Sequence, residues 1–251
     1  MRAMAPRAPL LWTLVALLPS SLSAQPADVD VLFLGEQHDN PAHHARQAEI
    51  VADVRPVAIV WEMLTPDLAE AITAENLADE AALQDVLRWE ERGWPDFSAY
   101  YPVFIAAPEA VHFGAAVPRD RARQAMTDGV AAVFGADAAL YGLTEPLSEA
   151  QQTAREALQL AAHCDAMPTE MLPLMVDIQR LRDARIAQAA LEAYANAGGP
   201  VVVITGNGHA RADWGAPAAL ALVAPDLEVW TLGQGETPTG APLGAFDSVE
   251  I

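Results

Sequence analysis

Leu32-Phe33-Leu34-Gly35-Glu36-Gln37-His38-Asp39-Asn40-Pro41 is an apolar run that stops at a glycine and passes directly to a carboxylate, an amide and an imidazole. A short apolar run bounded by turn residues reads as a buried strand. Asn40 then offers a helix cap, and Pro41 suits the first helical position. The same grammar returns near the far end in Val201-Val202-Val203-Ile204-Thr205-Gly206-Asn207-Gly208-His209-Ala210-Arg211. Each segment is a strand pattern followed by Gly-x-x-His. Glycine lets the chain leave a strand sharply and approach a ligand closely. The repeated grammar predicts that His38 and His209 sit at one edge of a single sheet, on neighbouring strand ends.

The sequence between these segments alternates strand and helix patterns. Strands are expected over Val29–Leu34, Pro56–Met63, Val111–Val117, Val201–Thr205 and Glu228–Leu232, with Phe246–Ile251 as an edge strand. This alternation predicts an α/β fold, a parallel sheet flanked by helices. Residues of about 65–107 and 145–197 are richer in helix than crossovers need. They are expected to pair into a small helical subdomain beside the sheet. The mature domain is read as residues 25–251.

The chain has 251 residues, of which 52% are apolar, and a formal charge of -20 with every basic residue an arginine. Such length supports a sizeable core. Such acidity argues against nucleic acid or an anionic membrane as a partner held by bulk electrostatics. Residues 1–24 read as a cleavable secretory signal: Arg2 and Arg7, then the apolar Leu10–Leu18, then small residues to Ala24. The expected location is therefore periplasmic or secreted. No cysteine lies near the cleavage site, so no lipid anchor is expected there. Cys164 is the single cysteine and reads as a small buried apolar residue. His163 beside it makes no convincing metal site.

In a parallel sheet the strand C-termini share one edge, and ligands bind there. Glu36 and His38, Glu62, Arg119, and Asn207 with His209 all fall at such ends. Two imidazoles and two carboxylates can bind a divalent metal, through His38, Glu62 and His209, or act as acid and base. Arg119 or Arg211 can hold a carboxylate or phosphate. His43 and His44 either support this crevice from the first helix or lie on its solvated face. Asp183 either belongs to a solvated charged strip or points back to support a His or Arg. Tyr100 and Tyr101 are either core residues or, as adjacent phenols, ligands to haem iron.

These residues resemble the ChaN family, the haem-binding uptake branch of the superfamily that includes Tiki, TraB and the erythromycin esterases. The resemblance runs over roughly Val29 to Leu232. It rests on Gly35-Glu36-Gln37-His38 with His43, His44 and Gln47, on Glu62, on Pro118-Arg119, on Gln179 with Asp183, and on Gly206-Asn207-Gly208-His209-Ala210-Arg211. It implies an exported protein of haem or iron uptake that binds haem or another iron-containing small molecule. It also implies a homodimer and an outer-membrane or ABC haem transporter as partners. The Tiki branch implies the alternative, a metal-dependent hydrolase using His38, His209, Glu62 and Arg119.

Overall fold

Every strand of the central sheet runs parallel to its neighbours, in the order β3-β2-β4-β1-β5-β6. The computed structural model describes residues 28–162 and 166–251. Residues 1–27, with the expected signal, and His163 with Cys164 lie outside the described residues. The first half of the chain forms β1 (Val31–Glu36), α1 (Pro41–Val54), β2 (Ala58–Trp61), α2 (Pro66–Glu70), α3 (Ala74–Leu77), α4 (Glu80–Val86), α5 (Trp89–Arg92), α6 (Phe97–Ile105) and β3 (Val111–Gly114). The second half forms α7 (Arg119–Asp128), α8 (Val130–Phe134), α9 (Glu149–Ala162), α10 (Leu172–Ala197), β4 (Val201–Gly206), α11 (Asn207–Ala210), α12 (Ala216–Val223), β5 (Val229–Gln234) and β6 (Ser248–Glu250).

The central strands are buried on both faces, which is why their sequences are continuously apolar rather than alternating. Period-two geometry divides their side chains between two cores. Val31, Phe33, Val60, Val201 and Val203 face a layer built from α7, α8, α10 and α12. Leu32, Leu34, Ile59, Trp61, Val202 and Ile204 face the opposite layer, built from α1 to α6. On that second face Trp61 stacks on Phe104, with ring centroids 3.8 Å apart. Full burial of such a side chain contributes about 1.5–3 kcal/mol.

The division bears on where the helix-rich stretches lie. The helix-rich stretches near residues 65–107 and 145–197 contribute to different cores. The core residues of 65–107 and those of α10 lie on opposite faces of the sheet. Each stretch carries its own apolar face, and a sheet buried on both sides needs a cover for each. The third strand also ends earlier than Val117. Gly114 lies so close to the Thr65 backbone that a Cβ there would meet the Thr65 carbonyl oxygen at 2.3 Å. The chain turns off the sheet at that point.

Candidate functional site

The register of β1 against β4 sets the site. Gly35 pairs with Thr205, and Glu36 with Gly206, so the two Gly-x-x-His segments lie side by side, offset by one residue. Strand periodicity then sends the carboxylates to opposite faces. Glu36 follows the parity of Leu32 and Leu34, toward α1 and α6. Glu62 follows the parity of Ala58 and Val60, toward α10. The close packing explains the glycines. A Cβ at Gly35 would meet Asn207 Oδ1 at 2.5 Å, and one at Gly206 would come 3.1 Å from the His38 ring.

Glu36 is fully enclosed. Its Oε1 accepts from the Tyr100 hydroxyl at 2.6 Å and from His38 Nδ1 at 2.7 Å. Its Oε2 accepts from Gln47 Nε2 at 2.8 Å and lies 3.3 Å from His44 Nδ1. Burial alone would favour the neutral acid, but these donors and the two imidazolium charges hold its pKa well below the usual carboxylate range. His44 Nε2 also donates to the His38 carbonyl at 3.0 Å. With acceptors at both ring nitrogens, His44 is set up to be doubly protonated. Burial opposes that charge, and Glu36 outweighs it, so its pKa is raised.

Glu62 is the meeting point on the other side. Its Oε2 accepts from the Thr205 hydroxyl at 2.6 Å and the Gly206 amide at 2.8 Å. Its Oε1 lies 3.5 Å from His209 Nε2 and 3.9 Å from His38 Nε2. His209 Nδ1 donates to Asp183 Oδ1 at 2.6 Å. Thus each imidazole is oriented through Nδ1 by a carboxylate, and each directs Nε2 toward Glu62. Burial pulls the His38 pKa down, but Glu36 and Glu62 push it up to about 9. Burial likewise opposes charge on His209, while Glu62 and Asp183 raise its pKa. Asp183 Oδ2 is buried with no hydrogen-bond partner among the described residues, and burial raises the Asp183 pKa.

Glu36, His38, Glu62, Asn207, His209 and Arg211 line one cavity of about 760 Å³. This volume lies within the usual range for small-molecule and cofactor sites. The rest of the lining mixes apolar side chains, among them Trp94, Leu158, Met175 and Trp214, with Arg155 and Arg182. Trp94 packs edge-on against His38, with ring centroids 4.9 Å apart. Asn207 spans to β5, donating to the Gln234 carbonyl at 2.7 Å and accepting its amide at 2.9 Å. Arg211 donates to both oxygens of Asp213 at 2.6 Å, which satisfies much of its charge.

Other expected residues lie elsewhere. Arg119 is exposed, donates to the Arg92 carbonyl at 3.3 Å and does not line the cavity, because the chain leaves the sheet before reaching it. Tyr100 is buried beneath the site with its hydroxyl committed to Glu36. Tyr101 donates to the Leu77 carbonyl at 3.2 Å. Neither phenol lines the cavity, and burial beside Glu36 drives the Tyr100 pKa far upward, against the phenolate form that an iron ligand needs. His43 Nδ1 accepts the Gln37 amide at 2.9 Å, and its Nε2 donates to the Gly235 carbonyl at 3.0 Å. It braces the loop after β1 without facing the cavity. His38, Glu62 and His209 do converge, yet no group of three or more His, Cys, Asp or Glu among the described residues could hold a metal ion.

The sequence reading did not single out Thr205, Arg155 or Arg182. Thr205 was legible, since it shares strand parity with Val201 and Val203 and lies beside Glu62's strand. The two arginines sit on helix faces whose partners only the fold supplies.

Comparison with known proteins gives a consistent picture. The family model described as haem-binding uptake, Tiki superfamily, ChaN matches residues 22–220. The solved structure titled cofacial heme binding to ChaN of Campylobacter jejuni has a TM-score of 0.68 at 18% identity. That match covers 88% of this chain and 87% of the other. The type III effector HopBA1 has a TM-score of 0.45 at 15% identity, with 88% and 86% covered. No curated protein matches the chain.

Proposed function

The chain belongs to the ChaN family of haem-binding uptake proteins in the Tiki superfamily, and from that membership we propose that it binds haem in the cavity at the C-terminal edge of its sheet. One observation carries the placement. The cavity of about 760 Å³ joins an apolar lining to an arginine, Arg155, whose buried Nε has no hydrogen-bond partner among the described residues. A porphyrin offers both complements, a flat apolar body and anionic carboxylates. His38, His209 and Met175 are the cavity-lining side chains with soft or borderline donors, and of the two imidazoles His38 is the more open, with its side chain 35% exposed. Bound haem would supply a redox-active iron centre. His38 lines the same cavity, held through Nδ1 by Glu36 and packed edge-on against Trp94. Titration of the purified protein with hemin is expected to give a shifted Soret band that saturates at a stoichiometric ratio. A spectrum that stays that of free hemin would end this reading.

Export through residues 1–24, assembly as a homodimer and transfer of haem to a transporter belong to the same proposal. The first is supported by the basic, apolar and small-residue order of that segment, the others by the family's uptake role.

A metal-dependent hydrolase is the second reading. It is favoured by the two imidazoles, each held through Nδ1 by a carboxylate and each turning Nε2 to Glu62, an orientation that tunes both metal ligands and general bases. Elemental analysis of the native protein beside His38→Ala and His209→Ala decides it. Equal metal content in all three removes this reading.

A further inference from the structure

A second cavity, of about 360 Å³, lies on the α10 face of the sheet, between the segment that leaves β3 and helices α7, α8 and α10. Residues 115–117 are the only wall it shares with the first cavity. Arg121 of α7 and Arg185 of α10 both line it, and both donate to the Val133 carbonyl, at 3.1 and 3.4 Å. Arg185 also donates to the Phe134 carbonyl at 2.9 Å. These carbonyls close α8, where the helix leaves them without intrahelical donors and favours a nearby cation. The shared acceptor sets the two guanidinium groups side by side. Their other bonds go to neutral amides, Gln124 Oε1 at 2.5 Å and Gln188 Oε1 at 2.7 Å. Neither Nε is engaged, and no carboxylate pairs with either arginine, among the described residues. Glu192 lines the cavity too and favours the Arg185 charge from a distance, whereas burial and Arg121 oppose it. Adjacent like charges are held together at an electrostatic cost that an anion between them removes. The remaining walls are largely apolar, with Val117, Pro118, Leu181 and Ala189 among them.

We infer that this second cavity binds a small organic acid, with the carboxylate bridging Arg121 and Arg185 and a short apolar body resting on Val117, Pro118 and Leu181. The site is separate from the one proposed for haem and depends on neither its residues nor its ligand. Each guanidinium has five N–H donors in a planar fork, so capping α8 leaves donors for a carboxylate. The α8 carbonyls hold both forks in place before a ligand arrives, which lowers the ordering cost of binding. A bare oxyanion would leave the apolar walls uncovered, and a neutral hydrocarbon would leave the paired charges uncompensated. The volume lies at the lower end of the range for small-molecule sites, which suits a ligand of a few carbon atoms.

The test compares ligands on the native protein, so it does not depend on any variant folding. Butyrate, its neutral isostere butyramide and inorganic phosphate are titrated in turn at fixed ionic strength, and the Arg121 and Arg185 Nε–H signals are followed by NMR. Butyrate is expected to shift both signals to saturation, and butyramide to bind about tenfold or more weakly for the loss of charge-assisted hydrogen bonds. Arg121→Gln changes an exposed position and leaves Arg185 on both α8 carbonyls. It is expected to weaken butyrate about tenfold and to leave the hemin titration unchanged. Equal binding of butyrate and butyramide, or native butyrate binding by Arg121→Gln, overturns the carboxylate bridge. Saturation by phosphate without binding of butyrate overturns the organic acid as ligand. Signals unmoved by all three overturn the site, whatever hemin does, so this inference and the haem reading fail separately.

Discussion

The two Gly-x-x-His segments share a sequence grammar and differ in almost everything that the fold adds. The first delivers Glu36 into a closed nest of Tyr100, Gln47 and His44, and leaves the His38 side chain 35% exposed at the cavity. The second delivers His209, only 7% exposed, against Asp183, whose second oxygen has no hydrogen-bond partner among the described residues. One segment therefore has a satisfied carboxylate under an open imidazole. The other has an enclosed imidazole over an incompletely satisfied carboxylate. The difference teaches that the motif fixes where an imidazole leaves the sheet, whereas the neighbours from helices fix what it can do there.

The largest expected effect breaks the first side of this comparison. Glu36→Ala removes the acceptor shared by Tyr100, His38 and Gln47 and leaves the His44 charge without its counterpart. We expect a loss of about 3–5 kcal/mol, the usual result of stranding a buried charge, read from urea denaturation. A loss below about 1 kcal/mol would show that the nest is not the brace described here.

The next effect concerns pH. The His38 pKa rises from 6.5 to about 9 on folding. A group whose pKa is raised in the folded state contributes stability that is fully present below its unfolded value and is lost as pH climbs through the folded value. Stability should therefore decline between about pH 6.5 and 9, and His38→Asn should flatten that decline. The exposure of His38 tempers the size of the effect through solvent screening. Glu36 acts with the opposite sign. Its lowered pKa gives stability that is present above the ordinary value of 4.5 and fades on acidification. NMR titration of the His38 ring protons gives the direct check, and an unshifted midpoint would contradict the assignment.

Asp183→Asn sharpens the second side. The amide can still accept from His209 Nδ1, so stability should change by about 1 kcal/mol. The His209 pKa should fall, because burial would then be opposed by Glu62 alone. A His209 titration that is the same in both proteins would remove Asp183 from its orienting role.

The smallest effect is a control outside both segments. Arg119→Ala should change stability by no more than about 0.5 kcal/mol, as is usual for exposed positions, and should leave hemin titration unaltered. A marked loss of hemin binding would mean that Arg119 reaches the ligand after all.

Much of this architecture was legible because periodicity is local. The runs at Val31–Glu36 and Val201–Gly206 announce buried strands, and their shared glycine ending announces a common edge. Glu62 was legible for the same reason, as the first charge after an apolar strand. Arg155 and Arg182 were not. A charge on an amphipathic helix reads as a solvated face until the helix opposite is known. Tyr100 and Tyr101 misled for a related cause: adjacent residues on a helix diverge, so one phenol went under the sheet edge and the other to a loop carbonyl.

By itself the sequence determined the parallel α/β class, the strand ends that carry His38, Glu62 and His209, and the family grammar, because each depends on residues near one another in the chain. Only the tertiary structure decided that Glu36 and Glu62 face opposite sides of the sheet. It alone put the two helix-rich stretches on separate faces, and it alone brought Arg155, Arg182 and Arg211 to one cavity. The physical reason is that burial and charge pairing are properties of neighbours in space. Here the decisive neighbours, Glu36 with Tyr100 and His209 with Asp183, come from elements that no local pattern connects.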